Sequence, residues 1–421
     1  MKTEDELVYC QYCKSLLVNK LEIGKGFHIK CHDEMSIFTK NHNNEYNKFM
    51  DLQNQLPNDF GHFTFEEIIK LEHMTFFNLD FLPESIDLLK NLKTLDFQKC
   101  RLTNLPNSLF RLSKLENLNL NDNRFNELPE VIFKIRRLTG LIVSNNFLKF
   151  IPKSITNLHK LHYLDISHNL IQNLVDEIGE LYSLEYLNVS NNELVDLPNF
   201  SISGNLKTIN ISNNKFTSLP ESIIKLNPIN LSISNNKIEK LPKELFLLNN
   251  NYSRDLFSND CGLKSLPNEI RNLNFGELFL SNNRLNSFPE LFTGPRWIRA
   301  LDLSKNPIKQ LPENLFENFI THLSINHTNI NYLPKIKKGI SSIHMKGTPM
   351  TEFPDFTDIL KISPISLIDI RDTYIEKIPA YIKDYHIKEV YISDPTLKDS
   401  FNPKTKVLIN QQTEYELTNS L

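Results

Sequence analysis

Glycine is scarce in this chain, with 11 in 421 residues, and tryptophan occurs once. So little glycine excludes a collagen-like or flexible low-complexity chain. No stretch reaches the roughly 18 uninterrupted apolar residues of a transmembrane helix, so no membrane span is expected. Charge of one sign is also missing: 47 basic against 50 acidic side chains leave a net charge of −3. A nucleic-acid binder needs surplus Lys and Arg to displace phosphate counterions, so no nucleic-acid partner is expected. The first residues include Glu4, Asp5 and Glu6 where a secretory signal carries base and then an apolar run. That points to an intracellular, cytoplasmic protein. Cysteine is rare as well, and the five present, three of them between Cys10 and Cys31, form no disulfide framework.

Proline is what the chain has instead, 21 in all, and most of it recurs. Pro83, Pro106, Pro129, Pro152, Pro198, Pro220, Pro242, Pro267, Pro289, Pro312, Pro334, Pro354 and Pro379 each follow a Leu, Ile or Phe. They are spaced by 20 to 25 residues except for one gap of 46, which Leu174 and Val175 fill in step. Counting back from each gives 15 units, starting near 71, 92, 115, 138, 161, 184, 206, 228, 253, 275, 298, 320, 340, 365 and 387. Self-similarity at this period means a stack of repeats.

The clearest unit runs from Leu115 to Arg137. It is apolar at Leu115, Leu118, Leu120, Phe125 and Leu128, has Asn123 at its ninth position and Pro129 at its fifteenth, and closes with Ile132 and Ile135. This pattern, LxxLxLxxNxLxxLPxxIxxLxx, resembles the 23-residue leucine-rich repeats of Ras-pathway scaffolds and Scribble- and Erbin-like proteins, over about residues 71 to 400. The resemblance implies an α/β solenoid with a curved parallel β-sheet on its concave side and short helices, 3-10 turns or extended segments on its convex side. The residues agree on physical grounds. Alternation at Leu118 and Leu120 is a short strand with one face inward, and neighbouring strands can stack in parallel at roughly 4.8 Å. Pro129 ends the strand side, and Ile132 with Ile135 pins the return segment at helical spacing.

The ninth position turns away from the strand, where a side chain must satisfy backbone groups that no ladder reaches. Asparagine, both donor and acceptor, fills it as Asn123, Asn146, Asn169, Asn192, Asn214, Asn236, Asn283 and Asn306. Cys100 and Cys261 occupy the same slot and are read as structural; Thr328, Thr348 and Thr373 take it over after residue 320. Thr64 and Glu67 have capping-box spacing ahead of Ile68 and Ile69, so residues 64–70 are expected to shield the first unit. Phe401, Val407, Leu408 and Ile409 are apolar enough to close the last. The organisation expected is a metal module over 1–35, a polar linker over 36–63 with a short helix near Glu45 to Leu52, the solenoid over 64–400 and a cap or tail over 401–421.

Cys10 and Cys13, then His28 and Cys31 after fourteen intervening residues, form two pairs at two-residue intervals. Such pairs can converge tetrahedrally on Zn²⁺, and their spacing resembles the first module of LIM-type and treble-clef fingers. A closed four-ligand site is structural, with His32 in reserve. The alternative is a pair of ordinary or redox-active thiols, although no βαβ pattern surrounds them.

Positions 3, 5 and 7 of each unit point outward from the strand, where they contribute nothing to the core. Position 5 reads Asp96, Asn119, Ile142, Asp165, Asn188, Asn210, Ser232, Phe257, Phe279, Asp302, Ser324, His344, Asp369 and Tyr391. The three columns hold seven carboxylates (Asp96, Asp165, Asp255, Glu277, Asp302, Asp369 and Glu389) against Lys346 and Arg371, which favours a partner with basic residues. Tyr163 with Tyr186, and Phe257 with Phe279, are aromatics in adjacent units, and aromatic anchors dominate interface energetics. The contrary reading for Phe257 is a register bulge at Ser258 that buries the ring. The expected contact residues are therefore Tyr163, Tyr186, Phe257, Phe279, Asp165 and Asp302.

No G-x-S-x-G, Walker loop, dinucleotide fingerprint or H-E-x-x-H occurs. His162, Asp165 and His168 can be drawn as an acid–base group, but no nucleophile or closed pocket accompanies them. The expectation is a non-enzymatic recognition scaffold, in intracellular signalling, that takes a protein partner on its strand face. The resemblance implies a small Ras-like GTPase among possible partners. The alternative is a substrate-selecting adaptor of a ubiquitin-ligase-type or effector complex, with catalysis supplied by another chain.

Overall fold

The computed structural model of the protein describes residues 45, 47–56, 63–200, 205–247, 253–272, 274–290 and 297–410. It divides into two compact units, the first ending at Leu164 and the second beginning at Asp165. Among the described residues no helix is long and apolar enough to cross a membrane.

Among the described residues of the first unit, helix α1 over residues 47–55 comes first, part of the segment expected as a polar linker. Its Phe49, Leu52 and the following Leu56 recur at i, i+3 and i+7 and are buried, a helical period easily hidden among Asn, Gln and Lys. Phe49 meets Phe65 edge to face at 5.7 Å, and Gln53 donates to the Phe63 carbonyl at 2.9 Å. Lys48 reaches the buried Asp87 carboxylate at 2.6 Å from one side and Arg111 reaches it at 3.0 Å from another. Helix α2 (Phe65–Ile68) carries a complete capping box: the Thr64 amide donates to Glu67 at 2.8 Å and the Glu67 amide to Thr64 Oγ1 at 3.4 Å.

Strands β1 (His73–Thr75), β2 (Thr94–Asp96), β3 (Asn117–Asn119) and β4 (Gly140–Ile142) follow, each parallel to the next. Leu95, Leu118 and Leu141 lie in register on the buried side. Strand β5 (Tyr163–Asp165) straddles the division.

The second unit holds β6 (Tyr186–Asn188), β7 (Thr208–Asn210), β8 (Asn230–Ser232), β9 (Arg254–Phe257), β10 (Phe275–Phe279) and β11 (Trp297–Asp302). It continues through β12 (Phe319–Ser324), β13 (Ser342–His344), β14 (Leu367–Asp369), β15 (Glu389–Ile392) and β16 (Lys406–Ile409). Each pairs in parallel with its successor. The buried register column, from Leu187, Ile209 and Leu231 through to Ile368 and Val390, is entirely aliphatic. Return segments begin at the repeat prolines, whose fixed φ suits a helix start. Most are single 3-10 turns, such as Lys153–Asn157 and Ala380–Asp384, and two are α-helical, Glu221–Leu226 and Thr357–Leu360.

Seven asparagines of the ninth position, Asn123, Asn146, Asn192, Asn214, Asn236, Asn283 and Asn306, use both ends of the amide. Asn123 points Nδ2 at the carbonyls of Phe97, Leu120 and Asn121 at 2.8–3.2 Å and accepts from the Leu102 amide at 2.9 Å. Asn236 repeats the set with Ile211, Ile233, Ser234 and Phe216 at 2.9–3.3 Å. Cys261 is a weaker substitute, its thiol directed at the Ile233 carbonyl at 3.2 Å. The threonines turn inward on their own unit: Thr328 donates to Ile325 and Thr348 to Met345, at 2.8 and 2.7 Å.

The residue before each of these is left-handed. Lys99, Asp122, Asn145, His168, Asn191, Asn213, Asn235, Asp260, Asn282, Lys305, His327 and Asp372 have φ between +51 and +58°, and Gly347 has +67°. Asn and Asp tolerate this conformation better than most side chains, which accounts for their prevalence at the eighth position.

Burial pushes the Cys261 thiol up to about 12, and Cys100 is buried too. Peptide mapping after iodoacetamide treatment at pH 8 should find both unmodified in the native protein and both alkylated in denaturant, because the thiolate is the nucleophile. Alkylation of either in the native protein would contradict their placement in the core.

Candidate functional site: the outward strand face

On the second unit the position-5 side chains stand in one register line: Asn188, Asn210, Ser232, Phe257, Phe279, Asp302, Ser324, His344, Asp369 and Tyr391. Over β6 to β8 this line, the serines of position 7 and eighth-position residues that include His168 line a polar hollow of about 200 Å³, without Asp, Glu, Lys or Arg, that ends against Phe257. Its walls are tied to the backbone. Asn188 Oδ1 accepts from the Ser190 amide at 3.1 Å and hydroxyl at 2.8 Å, Asn210 accepts from the Ser212 amide at 3.0 Å, and the Ser212 and Ser232 hydroxyls meet at 2.5 Å. Asp165, half-buried, accepts from the Ser167 amide and hydroxyl at 2.9 and 2.6 Å and from Asn188 Nδ2 at 3.3 Å.

Phe257 and Phe279, expected as outward anchors, are 5% and 4% exposed. Their rings stack at 5.0 Å and 20°, with Ala300 in the same cluster. The ladder spacing brings aromatic side chains in register face to face, so each covers the other. No bulge at Ser258 is involved: β9 and β10 stay in register from Leu256 and Leu278 onward, and the irregularity falls between Phe275 and Glu277. Asp302, the next step, is also buried, accepting from the Ser304 amide at 2.9 Å, while Ser304 and Ser324 hydroxyls meet at 2.7 Å. Tyr163 lies in the first unit and Tyr186 in the second, both half-buried.

The far end of the face is ionic. Arg371 clamps Asp369 through Nε at 2.8 Å and Nη2 at 2.5 Å, and its guanidinium lies 5.1 Å from the Tyr391 ring centre. Tyr391 Oη donates to Glu389 at 3.3 Å, and Lys406 reaches the same carboxylate at 3.0 Å. His322 Nδ1 lies 2.7 Å from Ser342 Oγ, with His344 buried nearby in position 5. Glu277 pairs with Arg299 at 2.6 Å. The acidic lean counted from the columns is thus corrected: Arg299 and Lys406 lie outside the columns expected to face outward, and with Arg371 they occupy three of the carboxylates.

The histidines and Asp302 respond to pH in opposite senses. Burial holds His322 and His344 below the usual imidazole value of 6.5; for His344 the Asp369 charge opposes this. A depressed imidazole contributes stability that is present above 6.5 and lost as pH falls below it, because the unfolded chain takes up the proton first. Burial raises Asp302 despite its Ser304 hydrogen bonds, so its contribution is present below 3.8 and is lost as pH rises through its folded value. The histidine share of stability should therefore fall between pH 7 and pH 5.5, so the urea midpoint of His344→Gln should lose less over that interval than that of the parent. An equal drop in the variant would remove His344 from the effect.

Among the described residues no group of three or more His, Cys, Asp and Glu side chains is placed to hold a metal ion. Cys10, Cys13, His28 and Cys31 lie outside the described residues. His162, drawn above as part of an acid–base group, keeps its Nδ1 against the Lys160 carbonyl at 2.7 Å.

Leucine-rich repeat family models match residues 136–194 and, separately, 91–112 and 205–226. With the parallel strands and asparagine spine, these matches decide the architecture. The fold is that of a leucine-rich repeat solenoid. No curated protein matches the sequence. Among solved structures, the fold is shared with a leucine-rich repeat protein of Leptospira interrogans, 24% identical at a TM-score of 0.56 over 81% of that chain and 78% of this one. A TDR receptor is 27% identical at a TM-score of 0.55 over 68% of its chain and 81% of this one. The plant peptide hormone receptor RGFR1, solved in complex with RGF2, is 19% identical at 0.56 over 80% of this chain, which spans only 59% of that receptor.

Proposed function

We propose that this leucine-rich repeat protein is a non-enzymatic recognition scaffold that takes a protein partner on the outward strand face of its second unit. One observation carries the reading. The inward column is aliphatic at every step, whereas the outward column passes from amide and hydroxyl to stacked rings, carboxylate, imidazole and a clamped ion pair. The accessible part of the outward column is the hollow over β6 to β8 with the half-buried Asn188 and Asn210, and polar groups fixed to the backbone there suit selective binding. The likeness to receptors of the same fold is consistent with this. A small Ras-like GTPase in the cytoplasm is the specific candidate that the repeat type implies.

Thr208→Arg with Asn230→Arg places two long cations on half-buried outward positions of adjacent strands. Co-purification of cytosolic partners with this variant should fail while its unfolding midpoint stays near that of the parent. Unchanged partners would remove the strand face as the recognition surface. The zinc reading of Cys10, Cys13, His28 and Cys31 rests on their spacing. Metal analysis of the full chain should find about one zinc per molecule; a substoichiometric content would remove it.

A further inference from the structure

The first unit carries a groove on its flank, away from the outward strand columns, with a volume of about 440 Å³. Buried Leu105, Leu128 and Val131 line it, Phe150 forms an exposed wall, and Glu127 and Glu130 stand exposed at its edge. Two features separate it from an ordinary seam between repeats.

The first is the aromatic wall. Phe150 is 48% exposed, and Phe147 on the same stretch is 50% exposed. The fold does not demand a phenyl ring at Phe150: the step it occupies is Asn104, Glu127, Asn173, Asp196 and Ser218 in other units, with an exposed aromatic again at Tyr332. The step of Phe147 is Arg101, Arg124 and Glu193 in some units and the exposed Leu170 and Tyr374 in others. A phenyl ring left in water at Phe150, where most units place a polar side chain, marks an interaction surface more than a packing need. The second feature is charge. The described residues lining the groove include two carboxylates and no Lys or Arg, and Glu130 is held in place by the Ser154 hydroxyl at 2.9 Å.

We propose that this groove is a second docking site, independent of the strand face, for a peptide segment of a partner in which a Lys or Arg adjoins a large apolar residue. The apolar side chain lies on Leu128 and Val131 against Phe150, and the neighbouring cation meets Glu127 and Glu130. Charge complementarity selects this occupant: an apolar segment without a cation leaves the carboxylates uncompensated, and an acidic one is repelled.

The test uses the full-length chain with methyl-labelled Leu and Val, titrated with N-acetyl-Phe-Arg-amide and N-acetyl-Phe-Glu-amide. The Arg peptide should shift the methyl signals of Leu105, Leu128 and Val131 saturably, and bind about five-fold or more tightly than the Glu peptide. Glu127→Gln with Glu130→Gln should abolish that preference without moving the unfolding midpoint, and Phe150→Ser should weaken both peptides. Unmoved methyl signals, or equal binding of the two peptides, would overturn the proposal. A concentration-dependent dimer that Phe150→Ser abolishes would give the groove to a second copy of this chain and overturn it equally.

Discussion

Replacing Arg371 with methionine should lower stability by about 3–5 kcal/mol, the loss typical when one member of a buried ion pair is removed. Asp369 is 0% exposed and Arg371 6%, and the two Arg371 nitrogens provide the carboxylate with a bidentate fork. Without it the charge is buried and uncompensated, and the contact with Tyr391 goes as well. Arg371→Lys should give an intermediate loss, since an ammonium keeps the charge but not the fork. Asp369→Leu combined with Arg371→Met should recover most of the stability, because an apolar pair of similar volume needs no compensation. Urea unfolding followed by circular dichroism measures all three. A single variant within about 1 kcal/mol of the parent would mean that water reaches Asp369 and that this end of the face is looser than described.

Asn283→Ala should cost about 3 kcal/mol, since it strips several buried backbone groups of their partner at once. Asn283 Nδ2 faces the carbonyls of Ser258, Leu280 and Ser281 at 2.8–3.2 Å, and its Oδ1 accepts from both Cys261 and Leu263 amides at 3.1 and 2.9 Å. Thr328→Ala, which removes one hydroxyl bond of 2.8 Å within its own unit, should cost about 1 kcal/mol. The contrast matters more than either value. Equal losses at the two positions would mean that the asparagine bonds between units contribute nothing beyond those within a unit.

Most of the fold was legible because the period is anchored by proline. Once Pro129 and its counterparts set the phase, the partners of Leu118, Asn119 and Asn123 in every other unit followed, and the register pairs Asn188–Asn210 and Asp369–Tyr391 fall where that phase puts them. The left-handed eighth position escaped notice because Lys99, Lys305, His168 and His327 share it with the expected Asn and Asp. Its signal was the enrichment of Asn and Asp one residue ahead of the spine. At the site, direction was legible but accessibility was not. Phe257 and Phe279 do occupy outward positions, yet their exposure depends on the neighbouring unit, and two rings at ladder spacing cover one another. Charge balance failed for a related reason: Arg299 lies at a position assigned no outward role, yet its long side chain reaches Glu277 on the neighbouring strand. Helix α1 was partly foreseen as a short helix, but three apolar residues among Asn, Gln and Lys did not announce that they would be buried.

Residue-resolved amide hydrogen exchange reaches the stacked asparagine spine most directly. The amides of Leu102, Phe125, Ile171, Leu194, Phe216, Leu263 and Leu285 lie outside the strand ladder, and each donates to the Asn Oδ1 of the following unit at 2.9–3.1 Å. All seven should exchange as slowly as the core strands, with Asn283→Ala releasing Leu263 first. Exchange at the rate of exposed loop amides in the unmodified protein would contradict the repeat stacking on which the strand face depends.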